Sequence, residues 1–242
     1  MGSSMEIERI KTYVHGLDGH IEGGIPKGSI SLICGTPGTM KSSLAYSILH
    51  NNAVKDGIKG FYVTLEQEIK SLRQQMEKLK MREIEAVEIV DFDTMMKKIE
   101  RKPDTNWIQR VGGFVKSAGK ERGCELLVID SLNALYSLTN IENPRREIYH
   151  LFKTLRETGM TCLLVSEISP GKAGFSHHGV EEFLADNIIH LDFEKKGGIL
   201  SSLERYIGIV KMRATNHDTQ YFPILYLKDK FTVFGREELE LE

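Results

Sequence analysis

Nine residues carry the chain's clearest chemistry. Gly35-Thr36-Pro37-Gly38-Thr39-Met40-Lys41-Ser42-Ser43 stands between an apolar run at 29–34 and a helical pattern that begins at Leu44. A strand, a glycine-bearing turn ending in Lys-Ser, and a helix form the arrangement that cradles nucleotide phosphates. Backbone N–H groups of the turn and of the helix N-terminus point at the phosphates. Lys41 reaches the β/γ oxygens, and the Ser42 hydroxyl can ligand Mg2+. Met40 departs from the usual pattern, standing where a second glycine is expected. The plain alternative is an ordinary strand–turn–helix junction with a solvated lysine, and the flanking strand and helix weigh against it.

Two carboxylates end apolar runs elsewhere. Leu126-Leu127-Val128-Ile129-Asp130 reads as a strand whose terminal Asp130 would sit beside the phosphate loop and hold Mg2+ through water. Phe61-Tyr62-Val63-Thr64-Leu65-Glu66 ends likewise, and ligands of open parallel sheets bind at the carboxyl ends of strands. Glu66 is therefore the candidate general base for an attacking water. Glu68 competes, but reads better as a first-turn acid facing a helix dipole. A third cluster is Lys211-Met212-Arg213 with His217 at the following turn. Strand alternation predicts Lys211 and Arg213 on one face, with Val210 and Met212 on the other. Two cations and a histidine make a phosphate clamp or a solvated basic face, and the pattern alone leaves these even.

The elements that must position these residues follow a simple order. Apolar runs at 29–34, 60–65, 86–90, 125–129, 161–165 and 187–191 are punctuated by helical patterns near 44–55, 68–81, 94–122 and 145–157. Alternating strands and helices predict an α/β fold with a mainly parallel twisted sheet covered on both faces. From 187 onward, runs at 187–194, 203–213, 221–227 and 230–235 follow with short turns, predicting a C-terminal antiparallel meander. Polar, lysine-rich residues around Pro103-Asp104 predict a surface insertion at 92–109. One domain over 5–242 is expected, with Met1-Gly2-Ser3-Ser4 an expression remnant before Met5.

Composition narrows the functional classes. The 242 residues are 40% hydrophobic and 27% charged with a net charge of −2, normal for a globular chain and without a nucleic-acid or membrane signal. No stretch of 18 apolar residues exists. Cys34, Cys124 and Cys162 form no CxxC spacing and each lies in or beside an apolar run, so they read as small core residues in a reducing, cytoplasmic setting.

Taken together, these residues resemble the KaiC-type ATPases of the RecA superfamily. The resemblance runs from Gly16-Leu17-Asp18 to about Phe234. Its markers are Gly23-Gly24-Ile25-Pro26-Lys27-Gly28, the phosphate loop, Val63-Thr64-Leu65-Glu66, Val128-Ile129-Asp130-Ser131 and Val165-Ser166-Glu167. Two further blocks, 179–187 and 211–217, are specific to KaiC-like proteins. The length matches a single-domain archaeal-type or bacterial KaiC-like protein, not the two-domain clock protein. The resemblance implies a RecA-like P-loop ATPase core, the cofactors ATP and Mg2+, and a homo-oligomer, usually a hexameric ring, with ATP between subunits. It also implies that Lys211, Arg213 and His217 reach the neighbouring subunit's nucleotide, and that they need no partner within their own chain. The family commonly has two adjacent glutamates where this chain has Glu66-Gln67. The kinase half of the clock protein carries a Ser-Thr pair where this chain has Glu182-Phe183, so the autokinase activity is not expected.

Three functions follow from this reading. The leading one is an oligomeric ATPase switch acting on an unidentified protein partner. The second is a recombination-type motor, with 169–179 as a DNA loop in which Lys172, His177 and His178 meet phosphates and Phe175 stacks on a base. The weak basicity disfavours a nucleic-acid partner. The third is a non-hydrolysing ATP-binding scaffold, in which Met40 crowds the β-phosphate.

Overall fold

A computed structural model describes residues 7–99, 107–138, 141–169, 171, 174–197 and 202–235. The amino-terminal segment forms β1 (Arg9–Ile10), a 3-10 turn at Asp18–Ile21 and β2 (Ile25–Pro26), and β1 pairs with β2 antiparallel. The main sheet begins at β3 (Ile30–Gly35). It is followed by α1 (Lys41–Asp56), β4 (Gly60–Thr64), α2 (Ile69–Lys78), β5 (Val87–Asp91), α3 (Phe92–Lys98) and α4 (Trp107–Arg122). Then come β6 (Leu126–Asp130), α5 (Leu132–Ser137), α6 (Pro144–Arg156), β7 (Thr161–Glu167) and α7 (Glu181–Leu184). The chain closes with β8 (Asn187–Lys196), β9 (Ser202–Met212), β10 (Tyr221–Leu227) and β11 (Lys230–Val233).

The sheet has nine strands in the order β11-β10-β9-β8-β3-β7-β6-β4-β5. From β8 to β5 all pairings are parallel, and β9, β10 and β11 continue antiparallel on the β8 side. β8 thus belongs to both halves, and the meander starts at β9. Every residue of β3, β4 and β6 is buried. Central parallel strands covered on both faces have no solvated side, which is why their sequences run apolar without alternation. One face buries Ile33, Tyr62 and Val128 beneath α1 and α2; the other buries Leu32, Cys34, Phe61 and Ile129 with Ile108, Leu151 and Phe152 of α4 and α6.

Expectations change in two regions of the chain. The stretch at 92–109 is not an insertion over its described part. Asp91 caps α3 by accepting from Thr94 N, Met95 is fully buried, and the Phe92 and Trp107 rings meet edge-on at 5.6 Å. The single helical pattern at 94–122 is two helices, α3 and α4, with residues 100–106 outside the described residues. The second change lies in β9. Ile188 pairs with Lys211 but Ile189 with Ile209, so Val210 is a bulge. A bulge shifts the alternation by one residue. Met212 therefore packs on the α1 face while Val210 packs on the opposite one, contrary to the shared face expected for them.

Candidate functional site

The strand ends meet at one edge of the sheet. Register sets Gly35 beside Glu167 of β7 and beside Leu191 of β8, while Thr64 of β4 is level with Asp130 of β6. The turn after β3 needs its glycine, because a Cβ on Gly35 would lie 2.1 Å from the Leu191 carbonyl oxygen. Lys41 opens α1 and its side chain is 5% exposed. Its Nζ donates to Thr36 O at 3.0 Å and lies 3.7 Å from Glu167 Oε1. Burial pulls the Lys41 pKa below the ordinary lysine value, although Glu167, Asp130 and Glu66 push the other way. A buried ammonium at the mouth of a loop with a buried, unpartnered Thr36 Oγ1 is suited to an anion.

Asp130 is 6% exposed. Burial raises its pKa, while hydrogen bonds from the Tyr62 and Ser42 hydroxyls oppose that rise. The Tyr62 hydroxyl donates to Asp130 Oδ2 at 2.5 Å. Mg2+ takes oxygen ligands and is held by one or two carboxylates together with substrate phosphates. The Ser42 hydroxyl and Asp130 carboxylate, already in mutual contact, fit that ion. Glu66 follows β4 and accepts a short hydrogen bond from Ser131 Oγ, the residue next to Asp130. Ser131 in turn caps α5, accepting from Ala134 N. Glu68 is the N-cap residue of α2, just before its first turn, and its side chain makes no capping bond.

Sequence reasoning gave no role to five residues of this site. Tyr62 looked like one more apolar strand residue. Glu167 was noted only as a family marker, and Asn133 holds it by accepting from Glu167 N at 2.7 Å and donating to its carbonyl at 3.1 Å. Ser131 fixes Glu66. Arg205 of β9 donates from Nε to Gly38 O at 3.1 Å, across a separation of 167 residues. Among them, only the carboxylate just beyond the 161–165 run carried a local signal.

Met40 takes the left-handed conformation at φ 70° and ψ 27°. Its side chain packs on the core and lines a cavity of about 200 Å3 with Leu191, Arg205, Ile224, Tyr226 and Phe231. The left-handed backbone explains why a glycine is expected here.

Lys211 and Arg213 stand elsewhere. Met212 is level with Asn187, which is level with Ser31 at the start of β3, whereas the loop begins beside Leu191. Four strand residues separate those levels, roughly 13 Å. The two cations therefore lie toward the sheet edge opposite the chain's own phosphate loop. They also have partners in their own chain, against expectation. Lys211 Nζ donates to Ala185 O at 2.6 Å and Glu182 O at 3.0 Å, closing the end of α7. Arg213 Nη1 meets Asp186 Oδ1 at 3.1 Å, and Nη2 donates to Phe183 O at 3.3 Å. His217 Nδ1 lies 3.2 Å from the carbonyl oxygen of its neighbour Asp218.

The loop considered for DNA is packed in part against its own chain. Phe175 is half-buried against the core and meets His190 edge-on at 5.3 Å, and Ser176 is 2% exposed. Lys172 lies outside the described residues.

A mainly parallel sheet with a phosphate loop after β3 and carboxylates at the ends of β4, β6 and β7 defines a RecA-like P-loop ATPase core. A family model described as "ATPase: KaiC" matches residues 10–237. The chain is 32% identical to a UPF0273 protein of Aeropyrum pernix, with 95% of this chain and 98% of that one covered. It is 28% identical to the circadian clock oscillator protein KaiC of a Picosynechococcus, covering 96% of this chain and 46% of that one. The crystal structure of the KaiC-like protein PH0186 from Pyrococcus horikoshii superposes with a TM-score of 0.81 at 30% identity, over 95% of this chain and all of that one. The chain belongs to the KaiC ATPase family.

Proposed function

We propose that the protein hydrolyses ATP to ADP and phosphate at a site shared between copies of the chain, as an oligomeric switch. The observation that supports this reading is the placement of Lys211 and Arg213 away from their own phosphate loop, while Lys41, Glu66, Asp130 and Ser42 gather around it. One copy's loop and the next copy's cations would together surround a triphosphate.

Within one copy, the loop N–H groups and Lys41 hold the β/γ oxygens. Ser42 and Asp130 hold the Mg2+, which neutralises charge on the phosphates when bound. Glu66, fixed by Ser131, takes a proton from the attacking water. Arg213 and Lys211 of the adjacent copy offset charge that develops on the leaving phosphates, the role of an arginine finger. To do so they must leave Asp186 and the α7 carbonyls, so their contacts in the free chain store the clamp in a docked position.

Two variants test this reading. Glu66→Gln should bind ATP yet slow hydrolysis by roughly a hundredfold or more. Arg213→Ala should also impair hydrolysis. Mixed, exchanged assemblies of the two should recover part of the activity, because some interfaces then join an intact base to an intact clamp. An absence of recovery refutes the shared site. If Glu68→Gln rather than Glu66→Gln stops hydrolysis, the base is wrongly assigned.

A further inference from the structure

The loop that joins β9 to β10, residues 213–220, carries Arg213 and His217 and has no regular structure of its own. It also starts from an unfavourable backbone, because Ala214 takes the left-handed conformation at φ 53°. A residue with a Cβ stays there only where its surroundings hold it. Inside the loop the polar contacts are local: Thr215 Oγ1 donates to Arg213 O at 3.3 Å, and His217 Nδ1 lies beside Asp218 O. The hydrogen bonds that tie 214–220 to distant described parts of the chain all go to the amino-terminal arm formed by β1, the 3-10 turn and β2.

Two residues of the arm make those bonds. Arg9 of β1 has a side chain only 12% exposed. Its Nη1 donates to Thr215 Oγ1 at 2.9 Å and to Gly24 O at 3.0 Å, and its Nη2 donates to Glu22 Oε2 at 2.7 Å. His20 holds Asp218 twice: Nδ1 lies 2.5 Å from Oδ2, and the His20 carbonyl accepts from Asp218 N at 3.2 Å. The His20 ring also stacks on Phe222 of β10 at 4.3 Å. The pins at Thr215 and Asp218 therefore stand on either side of His217. The arm is itself anchored. Ile10, Leu17, Ile21 and Ile25 are buried in the core beneath α1, Asp18 accepts from Thr12 N at 2.9 Å, and Asn52 of α1 donates to Lys11 O at 2.8 Å. The loop is thus fixed through the arm to the helix that opens at Lys41.

We infer that Arg9 and His20 are positioning residues for hydrolysis, which fix this loop so that Arg213 and His217 meet the adjacent copy's nucleotide at the correct place. This rests on the shared-site reading above. Neither residue touches nucleotide or reacting atoms; both act through Thr215 and Asp218. Arg213 must leave Asp186 to reach across, and the pins lie beyond it in the chain. They hold the path of the loop while the guanidinium swings. Misplacing a group by about 1 Å can cost about a hundredfold in rate, and a loop released from its pins is open to such a shift.

Steady-state hydrolysis by the full chain with ATP and Mg2+ tests this. Arg9→Ala and His20→Ala should each lower kcat by about tenfold, with KM changed by less than about threefold, because the Lys41 site is untouched. His20→Ala and Asp218→Ala should not add, since they break one contact. Tyr13→Phe removes the arm's bond to Asp56, away from the loop, and should leave kcat as it is. The decisive readout is the side of the interface. Exchanged mixtures of Arg9→Ala with Glu66→Gln should recover part of the activity, whereas Arg9→Ala with Arg213→Ala should not, because both defects then lie on the clamp side. A general weakening of the fold would not separate the two mixtures. Should Arg9→Ala fail to fold, His20→Ala, at a partly exposed position, replaces it in both. Wild-type kcat in the arm variants, additive losses at His20 and Asp218, or equal recovery in the two mixtures overturns the inference. If the Glu66→Gln and Arg213→Ala mixture recovers while the arm variants behave as wild type, only this inference falls. If that mixture does not recover, the shared-site reading falls and takes the inference with it.

Discussion

The hydroxyl of Tyr62, a fully buried side chain in the second strand of the parallel sheet, donates to Asp130 Oδ2 at 2.5 Å and so orients the carboxylate assigned to Mg2+. Outer hydrogen bonds of this kind fix the direction of a ligand, and their loss typically costs 10- to 100-fold in metal affinity. Tyr62→Phe should therefore raise the Mg2+ concentration needed for half-maximal ATP binding by about tenfold. It should also destabilise the fold by about 1–3 kcal/mol, because a buried acceptor loses its donor. Calorimetric Mg2+ titration and denaturant unfolding read the two effects separately. An unchanged Mg2+ requirement would remove Tyr62 from the site.

Lys41 gives a pH signature with two opposite signs. Its pKa is lowered, by burial first, from the lysine value of 10.5. Between the lowered value and 10.5 the unfolded chain binds more protons than the folded one, so stability of the free protein rises with pH there. ATP needs the charged lysine, so its affinity should fall over the same window. Lys41→Ala should abolish both the affinity and the pH trend. Calorimetry and thermal melting at a series of alkaline pH values test this, and an ATP affinity that holds constant while wild type stays folded would contradict it.

Met40→Gly exchanges two similar energies. Relief of the left-handed backbone is worth roughly 1–2 kcal/mol, and loss of a half-buried methionine costs about as much. Stability should change by no more than about 1 kcal/mol, and ATP affinity by no more than about threefold, an energy of under about 1 kcal/mol. A much tighter complex would mean that the side chain crowds the phosphates after all.

Self-phosphorylation should be absent. Glu182 and Phe183 offer no hydroxyl. The nearby Ser176 is 2% exposed, with its Oγ accepting from Gly179 N at 3.1 Å and lying 3.4 Å from Glu182 Oε2. A buried hydroxyl beside a carboxylate is a poor phosphoryl acceptor. Intact-mass measurement after incubation with ATP and Mg2+ should show the unmodified chain, and stoichiometric phosphate would place the protein among autokinases.

The sequence by itself determined whatever depends on neighbouring residues. The phosphate loop was legible because its strand, glycines, lysine and helix are contiguous. The parallel core was legible because buried central strands must be apolar throughout, and Asp130 and Glu66 because each ends such a run. Tertiary structure decided what depends on distant segments. Tyr62 became a partner of Asp130 only when β4 paired with β6, and Arg205 met Gly38 only when β9 folded back along β8. The bulge at Val210 broke a two-residue alternation that sequence alone could not know was interrupted. The same register set Lys211 and Arg213 against Asp186 and the end of α7, far from their own loop. Spacing along a chain fixes local geometry, but which strand edge a charge occupies is fixed by pairing between strands, and pairing is a property of the whole sheet.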